Sequence, residues 1–172
     1  MVVVFRSIAS VQFVRPRYPD PVTAIAVGTP APPIPGVPSG SDGPLALFFY
    51  KVTCPVCQLS APKVQTFEDA YPGRIVGIGQ DPPEKLGRFE AEYGMTFRSV
   101  PDLPPYPASN AYGIEVVPTL FVIDGSGSVA GVAESWDRLG FNDLSGKLAA
   151  LLDVAARPIS VEGDGLPSFR PG

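Results

Sequence analysis

Histidine is absent from the 172 residues, cysteine occurs twice, methionine twice and tryptophan once. Without imidazole the chain has no histidine general base and no histidine ligand for zinc or haem. Two cysteines separated by two residues make a poor staple, because so small a loop removes little entropy from the unfolded chain. Chemistry explains them better. Basic residues are also few, 13 Lys and Arg against 17 Asp and Glu, which leaves a formal charge of −4 with no basic run. That leaves no electrostatic footprint for nucleic acid and no polybasic membrane patch, so partners are expected among proteins and small molecules. No apolar run approaches the ~18 residues of a membrane span. Met1-Val2-Val3-Val4-Phe5-Arg6 is too short for a secretory leader and carries its charge on the wrong side, so the chain reads as cytoplasmic.

Proline and glycine, by contrast, are plentiful at 22 and 18, and their clustering marks the edges of the structured region. The length suits one ordinary domain with extensions. Val2 to Phe5, Val11 to Val14 and Val22 to Val27 read as short strands around a Pro-rich turn. Gly28 to Pro44 reads as an irregular surface loop that leads into the domain without joining its core. Residues 1–44 are thus an N-terminal extension and Pro-rich loop packing on the domain, 45–152 the domain itself, and 153–172 a loosely held tail.

Within the domain, Leu45 to Tyr50 is an unbroken apolar run, as expected of a central strand covered on both faces. From Cys54 the apolar residues Val56, Leu59, Val64, Phe67 and Tyr71 return at helical spacing, with Pro62 predicting a kink. Arg74 to Gly79 reads as a second strand. Asp81-Pro82-Pro83-Glu84 reads as a helix start with Asp81 as the cap, and Leu86, Phe89 and Tyr93 line that helix until Gly94 stops it. Residues 95–110 read as loop, with a helical turn at Ala108 to Tyr112. A β-hairpin follows, turning at Asp124-Gly125-Ser126-Gly127. The last helix carries a stripe of Phe141, Leu144, Leu148 and Leu151. The order predicts an α/β sandwich: a mixed central sheet, parallel between its first two strands and antiparallel in the hairpin, flanked by helices.

Cys54 falls where the first strand ends and a helix begins. A helix N-terminus offers unpaired N–H groups and partial positive charge, which favour thiolate over thiol and make Cys54 the attacking residue. Pro55 suits the first turn, where its missing N–H costs nothing. Cys57, three residues on, lies on the same face and can close a disulfide or resolve a mixed one. A zinc half-site would need two more ligands from carboxylates or a second chain. An inert structural pair is the other alternative.

Cys54-Pro55-Val56-Cys57 with Pro62, Val117-Pro118-Thr119 before the hairpin, and Val27-Gly28-Thr29-Pro30-Ala31-Pro32 together resemble the thioredoxin superfamily, in the branch related to the alkyl hydroperoxide reductase and thiol-specific antioxidant proteins. The resemblance implies a thioredoxin-like sandwich and a thiol-disulfide oxidoreductase that reduces protein disulfides through Cys54 and Cys57, without a cofactor beyond that redox pair. It implies a cis Val117-Pro118 bond beside the cysteines, with Val117, Pro118, Thr53, Pro55 and Val56 contacting a disulfide substrate, and an external thiol as electron donor. Three positions depart from it. Thr53 replaces the usual tryptophan, where its hydroxyl is expected to cap the helix or bond a sulfur, and Phe48 and Ser60 stand where relatives carry an acid. Two other readings follow: a peroxiredoxin-like peroxidase, and a redox-inactive binding module. The Pro-x-x-x-Thr/Ser-x-x-Cys pattern of a peroxidatic site is missing in both registers, since Lys51 and Leu47 precede Cys54 and Cys54 and Tyr50 precede Cys57. Trp136 and Lys51 are expected to pack and to sit in solvent, respectively.

Overall fold

The computed structural model describes residues 24–172. The expected strands at Val2 to Phe5 and Val11 to Val14 lie outside them. Six residues of continuous apolar sequence form β1 (Leu45–Tyr50), buried on both faces. Its neighbours are β2 (Ile75–Gly79), parallel to it, and β4 (Thr119–Ile123), antiparallel. With β3 (Ser99–Pro101) beyond β2 and β5 (Val129–Glu134) beyond β4, the sheet runs β3-β2-β1-β4-β5. Between the strands lie α1 (Pro55–Ala70), α2 (Pro83–Tyr93) and α3 (Pro107–Ala111), and α4 (Arg138–Leu152) follows the hairpin. A two-stranded ribbon pairs β6 (Trp136–Asp137) with β7 (Phe169–Arg170). This is the thioredoxin-like α/β sandwich.

The period-two geometry of β1 sends alternate side chains to opposite faces, and two cores result. Phe48 and Tyr50 pack with Val64 and Phe67 of α1 and with Phe141, Leu144 and Leu148 of α4. Leu47 and Phe49 pack on the other side with Tyr112, Phe121 and Ile78. Because β1 is central and both its faces are filled, its carboxyl end is rigidly placed, and the cysteine loop starts there.

Several expectations change. Ala24 to Val27 is a bend and turn rather than a strand, and the extension does more than pack on the domain, since Ala24 and Ile34 are buried within the second core. The helix runs through Pro62 from 55 to 70. β3 escaped notice because a three-residue edge strand ending in proline shows no periodicity. Leu151 is 41% exposed, and Ser145 takes a buried place on α4 instead. The tail is not loose. Asn142 accepts the backbone N–H groups of Ile159 and Ser160 through Oδ1, and Tyr71 Oη accepts that of Arg157. Arg138 donates to the carbonyl of Leu166 at 2.6 Å, and Asp164 forms an ion pair with Lys63 at 2.7 Å. Composition could not show this, because the partners that satisfy the tail's backbone come from distant helices.

Candidate active site

Tyr50 ends β1, and four residues, Lys51 to Cys54, separate it from the start of α1 at Pro55. Cys54 is the N-cap of α1: its backbone is extended, and its sulfur accepts the Cys57 N–H at 3.3 Å. The cap is therefore the sulfur expected to attack. Thr53, expected to cap or to bond a sulfur, is exposed and does neither, because the cap position falls on Cys54, one residue later. Gln58 donates to the Val52 carbonyl at 2.9 Å and Cys54 N–H donates to Lys51 at 3.0 Å, so the loop is tied to the first turn of the helix it feeds.

Both cysteines are free thiols, Cys54 half-buried and Cys57 fully buried. Their environments push them apart. Cys54 is lowered to about 6, chiefly because the Cys57 thiol hydrogen-bonds to it. Burial opposes this, while the N–H groups of Cys57 and Val56 and the charge of Lys51 add to it. Cys57 is raised far above the usual thiol range, first by burial and then by its bond to Cys54. At neutral pH one sulfur is a thiolate and the other holds its proton.

The thiolate is the reacting form, so alkylation of Cys54 by iodoacetamide should rise with pH through a midpoint at about 6 and level off above it. A midpoint near the ordinary ~8.5 would show that neither the Cys57 thiol nor the helix N–H groups stabilise this sulfur.

Val117–Pro118 is cis, and the Val117 carbonyl oxygen lies 3.3 Å from Cys54 Sγ, where it accepts a hydrogen bond from the thiol form. Two segments 63 residues apart thus meet at one sulfur. Of the expected contact residues, Thr53 and Pro55 are exposed, Val117 is half-buried, and Val56 and Pro118 are buried. Phe48 is fully buried and stacks on Tyr50 at 5.1 Å, and Ser60 donates to the Cys57 carbonyl at 3.1 Å. Neither position holds an acid. Trp136 is fully buried against Phe141, consistent with packing.

Asp81 is the residue that sequence reasoning misplaced. The helix cap is Pro82, not Asp81, and the Asp81 carboxylate instead accepts the Val52 N–H at 2.9 Å from a 5% exposed position. It thereby fixes the loop before Cys54, and its charge helps keep Cys57 protonated. A signal existed: an acid two residues past an apolar strand, at the carboxyl end of a parallel pair, sits where α/β sheets gather their functional groups. Among the described residues no cluster of His, Cys, Asp or Glu is placed to hold a metal.

Residues 39–132 match the model of the AhpC/TSA family. Among solved structures, DsbF of MTB, in its mixed oxidised and reduced forms, is 25% identical over 63% of this chain and 81% of its own, with a TM-score of 0.54. A secreted Mycobacterium tuberculosis disulfide oxidoreductase homologous to E. coli DsbE is 23% identical over 66% of this chain and 84% of its own, at 0.55. A thiol:disulfide interchange protein from Chlorobium tepidum is 23% identical over 73% and 99%, at 0.57. No curated protein matches this sequence. These likenesses correct the cytoplasmic reading, since the M. tuberculosis protein is secreted. That reading rested on the lack of an apolar leader within the given residues, which carries no information about where a redox fold works.

Proposed function

This chain belongs to the AhpC/TSA family, and from that premise we propose that it is a thiol-disulfide oxidoreductase working by dithiol exchange through Cys54 and Cys57. The observation that carries the reading is the split between the two sulfurs, one lowered to about 6 at a helix tip and the other buried and protonated three residues away. The Cys54 thiolate attacks one sulfur of a disulfide. A Cys54–substrate disulfide forms, and the substrate's own S–S bond breaks, releasing a first thiolate that takes up a proton. Cys57 then gives up its proton and attacks Cys54, forming the Cys54–Cys57 disulfide and expelling the second thiolate. The substrate gains two electrons and the pair loses them, to be reduced again by an external thiol. Exposed Thr53 and Pro55 and the Val117 backbone contact the substrate, and buried Val56 and Pro118 shape the floor beneath them.

Direction follows from how far the thiolate is stabilised. A sulfur at about 6 lies closer to thioredoxin's ~7 than to the ~3.5 of a strong oxidant, which favours the reducing direction. Titration of the pair against glutathione buffers should therefore give a reversible two-electron midpoint nearer ~−270 mV than ~−120 mV. A midpoint close to −120 mV would reverse the direction, and the absence of any reversible disulfide would remove the function. The peroxidase reading gains no support: Leu47, where that pattern needs proline, pairs with Val76 and Phe121 inside the sheet.

A further inference from the structure

The C-terminal segment turns toward the redox site after α4. Trp136 Nε1 donates to the Pro167 carbonyl at 2.7 Å, and the Arg138 N–H donates to that of Ser168 at 2.9 Å. These bonds set the register of the ribbon, Asp137 opposite Phe169 and Trp136 opposite Arg170. Two residues later Gly172 arrives at the loop that carries Val117. Its N–H donates to Ser135 Oγ at 3.0 Å, and a Cβ built on it would lie 2.3 Å from the Val117 carbonyl oxygen. That oxygen is the one that accepts the Cys54 thiol. Nucleophile and tail therefore meet at a single backbone atom.

Disulfide attack requires the incoming S–S bond to lie roughly in line with the attacking sulfur, so whatever the substrate sulfur carries must spread over the surface around Cys54. A polypeptide disulfide brings extended backbone, about 3.3 Å per residue, and needs open surface on both flanks. One flank is the exposed pair Thr53 and Pro55. The other is Val117, where Gly172 already sits.

The geometry points to residues 167–172 as a specificity-determining strap, which covers the Val117 flank of Cys54 and so restricts the site to small disulfides unless the strap lifts. This rests on the dithiol-exchange reading and narrows its substrate class. The strap is suited to lifting. Its anchor lies at Pro167 and Ser168, and beyond it run a two-residue strand, with Phe169 43% exposed, and the hydrogen bond from Gly172 to Ser135. Glycine is required at 172 for close approach, because the atom a side chain would strike is backbone and cannot rotate away.

The test compares insulin with hydroxyethyl disulfide as substrates of the full chain, with dithiothreitol as electron source and the uncatalysed rate subtracted. Gly172→Leu pushes the strap off Val117. Arg170→Pro removes a backbone donor from the ribbon and reports independently, should the first variant fold poorly. Each releases an interaction worth about one hydrogen bond, so kcat/KM for insulin should rise roughly fivefold in both, with the hydroxyethyl disulfide rate unchanged. An insulin rate that stays level or falls in a folded variant overturns the strap. If the unaltered chain reduces neither substrate, the oxidoreductase reading itself fails, and the two failures are distinguishable.

Discussion

A Cys57→Ser variant mixed with a disulfide substrate should accumulate one equivalent of Cys54–substrate mixed disulfide and then stop, while Cys54→Ser should show neither adduct nor turnover. The difference in kind follows from the site. Cys54 carries the stabilised thiolate at the helix tip, and Cys57 is the buried thiol three residues behind it, positioned by the first turn of α1. Resolution by Cys57 is intramolecular, and well-oriented intramolecular reactions reach effective molarities of ~10⁵ M or more. An external thiol at millimolar concentration cannot match that, so turnover should fall by a factor on the order of a thousand or greater. Intact mass measured under non-reducing conditions reads the adduct directly. Turnover by Cys57→Ser at the rate of the unaltered chain would mean that Cys57 does not resolve.

Phe49→Ala should produce the largest loss of stability. Phe49 is the penultimate residue of β1, opposite Ile78 and Thr119, and is fully buried. Its ring sits 5.1 Å from Tyr112 and 5.8 Å from Phe121, which are themselves 5.2 Å apart. Truncation removes the transfer free energy of the ring and leaves a cavity walled by strands that cannot collapse, at a cost of about 3–5 kcal/mol. Against a typical total of roughly 5–15 kcal/mol, that is a large share of what holds the fold. In urea, where small domains show slopes of about 1–3 kcal/mol per molar, the midpoint should fall by on the order of 2 M. A shift of a few tenths of a molar would show that the second core tolerates the void, and that β1 is held chiefly from the α1 and α4 side.

The two cysteines illustrate how much of the site could be read in advance. A six-residue apolar run followed at once by Cys-Pro-Val-Cys places a thiol at a strand-to-helix junction, and the junction's chemistry is local: the N–H groups that stabilise Cys54 belong to Val56 and Cys57. The cis bond at Val117 was different in kind. It followed from a family resemblance, since nothing in the neighbouring residues demands it. Asp81 was visible as a polar residue beside two prolines but was assigned to the nearest helix, because capping rules are local and its real partner, the Val52 N–H, is 29 residues away.

The central strand, the main helices and the hairpin were legible in the sequence because each depends on side-chain periodicity, and so was the place of Cys54 at a helix N-terminus, which depends on groups within one helical turn. Folding in three dimensions was needed to show which residues surround that sulfur from a distance. It placed the Val117 carbonyl on Cys54, sank Asp81 beneath the loop, and brought Gly172 across the same carbonyl from the far end of the described chain. Such contacts join segments with no local signal of each other, and they form only when the packed sheet and helices bring them together.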